Sequence, residues 1–317
     1  MSAKIKRRIL ISLCGFLLLA IIGYLSLERF KYQLYEASIN AQEKEIRLEK
    51  HSLQTNGFTW SYLENDLRGV KPSLIMVHGF GASKEAWLAT ATQLKDQFHL
   101  ILVDLPGHGE STFDTNQHYD LASQTEQLHG FISALGLTSF HMIGNSMGGG
   151  IVGLYANNYP KEVLSAILLD PAGIVDAKSE YQRYLDRGEN PLIVKTTQDL
   201  DFLYGFAVAK KISIWWPFNE VLVEKALALK SEHDRVFADV TSPPRYDFKA
   251  AIKSISSPVL VVWGKQDRII SPDNAAVYHQ LNPSIEVKML ENIGHIPMVE
   301  DPVLCAGLIK GFASKIA

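Results

Sequence analysis

The chain has 317 residues, with 31 Lys and Arg against 34 Asp and Glu, a formal net charge of −3 and 47% hydrophobic residues. That length allows one large domain with additions around a substantial core, and the slight acidic balance excludes a nucleic-acid partner held by bulk charge. Two cysteines, Cys14 and Cys305, stand far apart, which excludes a disulfide framework; no Cys/His group has metal-ligand spacing and no glycine loop ends in Lys-Ser/Thr, so neither metal nor cofactor is expected.

The first predicted element is a membrane anchor, residues 1–27. Lys4, Lys6, Arg7 and Arg8 precede a charge-free run over residues 9–27. As a helix the run is about 28 Å long, against a bilayer core of ~30 Å. A cleaved signal peptide would have a shorter apolar run ending at an Ala-x-Ala-like site. Gly23-Tyr24-Leu25-Ser26-Leu27-Glu28 offers none, and secretion after cleavage is the alternative. The basic cluster outweighs Arg29 and Lys31, so the N-terminus is expected in the cytoplasm. The rest of the chain then lies on the opposite face, the periplasm in a bacterium. Residues 28–52 favour helix and end in Glu43, Lys44, Glu45, Arg47, Glu49 and Lys50. Charges of both signs argue for a solvated spacer rather than a face lying on the membrane. A chain starting near Ser52 is therefore expected to stay soluble and active.

Residues 53–175 and 251–317 alternate short apolar runs with helical patterns, which predicts a mostly parallel sheet flanked by helices. The run at 73–77 leads into His78-Gly79-Phe80-Gly81, a turn that offers the N–H of Phe80 as an oxyanion donor. The run at 100–103 leads into Asp104, and His78 and His108 are read as structural. Residues 140–143 lead into Gly144-Asn145-Ser146-Met147-Gly148-Gly149 and a helix over 150–158. Strand, Gly-x-Ser-x-Gly, helix is the pattern of a nucleophile elbow. Glycines two residues to either side of the serine remove collisions with neighbouring backbone, and the hydroxyl projects beside the positive end of a helix. The N–H of Met147 is the second expected oxyanion donor, in place before charge develops.

After the run at 164–169 stands Asp170, an alternative position for a catalytic acid. Residues 176–250 break the strand/helix alternation and hold Tyr181, Tyr184, Phe202, Tyr204, Phe206, Trp215, Trp216 and Phe218. They read as helices and loops, with Trp215-Trp216-Pro217-Phe218 as the patch for lipid contact. Two further runs, at 259–263 and 285–290, end in Gly264-Lys265-Gln266-Asp267 and Glu291-Asn292-Ile293-Gly294-His295. A serine nucleophile needs a base, and the base needs an acid to orient it. Ser146, Asp267 and His295 stand in the chain order that goes with this elbow.

As a set, these motifs resemble those of the α/β-hydrolases, together with Asp104-Leu105-Pro106-Gly107-His108-Gly109-Glu110-Ser111 and Gly294-His295-Ile296-Pro297-Met298-Val299-Glu300. Within that superfamily the chain resembles membrane-anchored monoacylglycerol lipases and cold-active bacterial lipases, from about residue 56 to the C-terminus. The resemblance implies an α/β-hydrolase fold with a helical cap inserted at 176–250, which supplies an apolar pocket, and loop structure supported by Asp104. It implies a serine hydrolase of acylglycerols or other lipid esters, with Ser146 as nucleophile, His295 as base, Asp267 as orienting acid and the N–H groups of Phe80 and Met147 as oxyanion donors. It implies no cofactor, a small-molecule ester as substrate, the membrane as partner through residues 9–27, and neither nucleic acid nor an obligate protein partner. The elbow also resembles that of hydrolases that cleave carbon–carbon bonds in ring-fission products. Those carry tryptophan after the catalytic His, where this chain has Ile296. The Asp-nucleophile relatives are excluded by Ser146. A membrane-tethered binding protein with an inactive hydrolase fold is the non-enzymatic alternative.

Overall fold

The central apolar runs are hydrophobic on both sides of the pleat, which commits them to a sheet covered on both faces. In the computed structural model, which describes residues 3–243 and 246–316, they join an eight-stranded sheet. Its strands are β1 (Leu48–Thr55), β2 (Phe58–Asn65), β3 (Ser73–Val77), β4 (His99–Val103), β5 (Phe140–Asn145), β6 (Val163–Leu169), β7 (Val259–Gly264) and β8 (Glu286–Leu290). Their spatial order is β1-β2-β4-β3-β5-β6-β7-β8. β1 and β2 form an antiparallel hairpin, β2 runs antiparallel to β4, and the remaining pairs are parallel. Asn56 and Gly57 close the hairpin with φ of +53° and +83°, the two-residue turn whose twist matches that of the strands.

β4 and β5 lie on opposite sides of β3. The loops that leave β3 and β5 therefore diverge and open a crevice at the carboxyl ends of the strands. The helices are α1 (Ala3–Ile46), α2 (Leu88–Thr92), α3 (Leu121–Ala134), α4 (Met147–Asn158), α5 (Glu180–Leu185), α6 (Thr197–Ala207), α7 (Phe218–Ala228), α8 (Lys230–Thr241), α9 (Phe248–Ser254), α10 (Ala275–Leu281), α11 (Pro297–Glu300) and α12 (Pro302–Ala313). Two apolar layers fill the two faces of the sheet. One includes Phe131, Ile151, Tyr155, Ile252, Trp263 and Tyr278; the other includes Trp87, Leu88, Leu94, Cys305, Ile309 and Phe312.

Helix α1 departs from the expected anchor plus solvated spacer. It is one continuous helix of 44 residues, about 66 Å long. Its first part is long and apolar enough to cross a membrane and is bare of protein contacts, with Leu10, Phe16 and Leu19 exposed. Beyond it the helix docks on the body. Tyr35 and Ile46 are buried, and Ile39 packs against the second core layer. Lys31, 2% exposed, meets Glu28 at 2.5 Å, Glu224 at 2.6 Å and Glu220 at 3.4 Å, and Tyr32 Oη donates to Glu224 at 2.6 Å. The expected spacer over 28–52 is thus corrected. Mixed charges here mark a helix that pairs with α7, and residues 48–52 already belong to β1.

Helices α5 to α8 make up the predicted cap between β6 and α9. The cap gives way to the core a few residues before the expected boundary at 250, because Phe248 and Ile252 of α9 belong to the first core layer. Most cap aromatics pack among themselves, as the Tyr184–Phe206 and Phe202–Phe206 ring pairs do at 5.5 Å and 5.8 Å. Trp215 and Trp216 remain exposed.

Candidate active site

The elbow forms between β5 and α4. Ser146 adopts φ +55° and ψ −118°, a strained conformation for a residue with a side chain. The surrounding bonds impose it. Ser146 N–H donates to the Leu169 carbonyl at 2.9 Å, and the Ser146 carbonyl accepts from Gly150 and Ala172 at 3.0 and 2.9 Å. The flanking glycines are needed for space: a Cβ on Gly144 would lie 2.2 Å from the Gly148 carbonyl oxygen, and one on Gly148 would lie 2.4 Å from those of Val77 and His78. Met147 opens α4, so its N–H is one of those that a helix leaves without an internal acceptor.

The loop after β3 brings Phe80 to the same place. Gly79 packs so closely on the elbow that its own Cβ would sit 3.1 Å from that of Ser146. His78 fastens this loop: its Nδ1 donates to the Gly79 carbonyl at 2.8 Å, and its Nε2 accepts from Leu105 N–H at 3.0 Å. Burial holds the imidazoles of His78 and His108 below the ordinary range, in keeping with structural roles. Asp104 accepts from the N–H and ammonium of Lys84 at 2.7 and 2.6 Å and from Glu110 N–H at 2.9 Å, tying together the loops that follow β3 and β4, as expected.

On the other side of the crevice, the loops after β7 and β8 meet. His295 Nδ1 donates to Asp267 Oδ2 at 2.8 Å. Asp267 is itself held by four donors, since Oδ1 accepts from Ile269 and Ile270 N–H at 2.8 and 3.0 Å and Oδ2 also accepts from Trp263 Nε1 at 3.1 Å. Asp170, the alternative acid, makes no bond to His295; its Oδ1 accepts from Gly264 N–H at 2.8 Å. His295 is fixed to the cap as well, its N–H donating to the Ala207 carbonyl at 2.6 Å. Asn145 was missed in the sequence reading. Its Nδ2 donates to the His295 carbonyl at 2.9 Å and to the Leu169 carbonyl at 3.3 Å, joining the elbow to the His loop. As the variable residue of Gly-x-Ser, it carries no signal of its own.

Ser146, His295 and Phe80 line one cavity of about 810 Å³. Its apolar wall comes from Leu200, Leu203, Tyr204, Ile214, Phe218 and Leu222 of the cap, and Trp215 and Trp216 stand among its lining residues. Tyr35, Ser38, Ile39 and Gln42 of α1 complete it, a contribution that no motif in α1 announces. The arrangement can bind a long apolar group beside the Ser146 and His295 side chains.

Sheet order, elbow and cap define an α/β-hydrolase. A model of the alpha/beta hydrolase fold family matches residues 72–210 and 218–302, and the chain belongs to that family. Lipase 1 of Psychrobacter immobilis is 33% identical over 289 residues, covering 87% of this chain and 90% of its own length. Monoacylglycerol lipase ABHD6 of Homo sapiens is 30% identical over 259 residues, covering 78% and 77%. Among solved structures, that of a membrane phospholipase A, titled a novel bacterial virulence factor, matches with a TM-score of 0.88 at 33% identity, over 96% of this chain and 98% of its own.

Proposed function

We propose that this α/β-hydrolase cleaves carboxylic esters of lipids, acylglycerols first among them, through an acyl-enzyme. Ser146 Oγ attacks the acyl carbonyl while His295 Nε2 takes its proton. Asp267 holds Nδ1–H, which selects the tautomer and stabilises the imidazolium. The Phe80 and Met147 N–H groups receive the negative charge that develops on the carbonyl oxygen. His295 then passes the proton to the leaving alcohol, and water, activated by the same base, releases the fatty acid. No cofactor enters this scheme. The observation that carries the reading is a His–Asp pair at 2.8 Å whose histidine lines the same cavity as the elbow serine, between aliphatic and aromatic walls.

Residues 9–27 hold the enzyme at a bilayer, with the N-terminus cytoplasmic and the hydrolase on the opposite face. Trp216 lies 6.5 Å from Phe30, just past the apolar run. The exposed Trp215 and Trp216 therefore sit where the polar edge of a membrane favours amphipathic rings, close to the cavity they line. Lipase-named relatives support the substrate class. The test is labelling by a fluorophosphonate probe, together with turnover of p-nitrophenyl esters and of mono-, di- and triacylglycerols. Labelling abolished by Ser146→Ala, with lipid-ester turnover, is the expected result. An unlabelled chain, or one inert on the whole ester panel, overturns the reading.

A further inference from the structure

Asp170 is a fully buried carboxyl that this mechanism does not use. It follows β6 with a left-handed backbone, φ +46°, a conformation that a side chain resists unless its surroundings impose it. Its N–H donates to the Val262 carbonyl at 2.9 Å and its Oδ1 accepts from Gly264 N–H at 2.8 Å. Its Oδ2 has no hydrogen-bond partner among the described residues. One ligating atom each from Asp170, Asp267 and His295 all lie within 4.8 Å of one another.

Two carboxylates this close and shut off from water cannot both carry charge at neutral pH. The donors decide which one does. Asp267 accepts from Ile269, Ile270, Trp263 and His295; Asp170 accepts from Gly264. The other titratable groups that face Asp170, Glu300 of α11 and Cys305 of α12, are acids and supply no neutralising cation. Burial, and then the neighbouring Asp267, push the Asp170 carboxyl well above the usual carboxylate range. A buried carboxylate oxygen without a donor is costly. The same oxygen carrying a proton becomes a donor, with the Asp267 carboxylate beside it as acceptor.

The geometry points to Asp170 as a positioning residue for the reaction: its carboxyl, kept protonated, hydrogen-bonds to Asp267 and tempers the pull of that carboxylate on His295. This rests on the reading of Ser146, His295 and Asp267 as nucleophile, base and acid. It gives Asp170→Ala a pH-dependent loss, where a packing role would give a loss equal at every pH. Asp170→Asn keeps an acceptor for Gly264 and a donor toward Asp267. Asp170→Ala removes the donor, leaves Asp267 to act on the imidazole undiluted, and so holds a proton on the base up to higher pH.

The test measures kcat/KM of the full-length chain in detergent, with p-nitrophenyl butyrate from pH 5 to 9. Asp170→Asn is expected within about threefold of the unsubstituted enzyme throughout, because it imitates the protonated acid. Asp170→Ala is expected to lose on the order of tenfold at pH 6 and about twofold at pH 8, an acid limb moved upward. A loss of 100-fold or more in Asp170→Asn would show that the carboxyl works ionised and overturn the proposal. An equal loss at every pH in Asp170→Ala, marking a packing role alone, overturns it too. Should Asp170→Ala fail to fold, Asp170→Leu, which fills the site without a donor, takes its place with the same expected pH profile and the same overturning result. If the triad reading is what fails, Ser146→Ala and Asp267→Asn stay active, whatever the Asp170 variants do.

Discussion

At the carboxyl edge of the sheet, each side chain of the site is set by the few residues around it; along α1, one uninterrupted helix passes from a run exposed on every side to a stretch with one buried face. Lys31 and Tyr35 are 2% and 5% exposed, while Tyr32 and Leu34 between them stay open to solvent. At the sheet edge the decisive contacts are short in sequence: Gly144 against Gly148, or Asp267 against the N–H groups two and three residues on. On α1 they are long. Lys31 reaches Glu224 across 193 positions, and Tyr35 lines the same cavity as Ser146. The first region is a chemical device built by local backbone geometry. The second is a wall and a strut whose meaning depends on what the rest of the chain places beside it.

The largest effects test the first region. Ser146→Ala is expected to cut ester hydrolysis by on the order of 10⁴-fold or more, measured with a soluble ester. Retention of a tenth of the activity would mean that the elbow is not the nucleophile's seat. Asp267→Asn is expected to fold normally and lose roughly 10³- to 10⁴-fold through the wrong His tautomer. A smaller loss there than in Asp170→Asn would reverse the assignment of the acid.

Intermediate effects separate the halves of α1. A chain beginning at residue 28 is expected to keep short-ester activity within about threefold, since the apolar run touches no other part of the protein. A chain beginning at Ser52 is expected to behave differently from what a solvated spacer implies. It lacks Tyr35, Ser38, Ile39 and Gln42 from the cavity wall, and Ile46 and Leu48 from the second core layer. Each lost core side chain costs about 2–5 kcal/mol. A fall in Tm of at least about 5 °C and a loss of tenfold or more in turnover are expected. Equal thermal scans and rates for the two truncations would restore the solvated spacer.

The smallest effect concerns the strut. Lys31→Met leaves Glu28, Glu220 and Glu224 without their shared cation. Those carboxylates are partly exposed and screened, which limits the loss of stability. The expected signature is a fall of about two- to threefold in the ratio of long-chain to short-chain ester turnover, because the helix forming part of the acyl pocket is held less firmly. An unchanged ratio would separate the strut from the pocket.

The difference between the regions explains how much was legible beforehand. Strands, elbow and catalytic order could be read because Gly-x-Ser-x-Gly, the His-Gly turn and the strand-terminal Asp and His encode backbone shapes within a few residues. The boundary of the cap was legible only to within a few positions, since Phe248 joins the core through contacts with distant helices. The docking of α1 was misread, because charges of both signs look the same in water as they do opposite α7.

What the sequence by itself determined is an elbow serine, an aspartate and a histidine at strand ends, and an apolar run long enough to cross a bilayer. Local sterics and hydropathy suffice for both. The tertiary structure alone decided three things. It gave His295 to Asp267 rather than to Asp170, although both acids follow neighbouring strands. It tied Asn145 to the His295 loop across 150 positions. It made the second half of α1 a wall of the hydrolase. Each depends on packing between segments far apart in the chain, and a residue carries no mark of a neighbour it meets only when the sheet has closed.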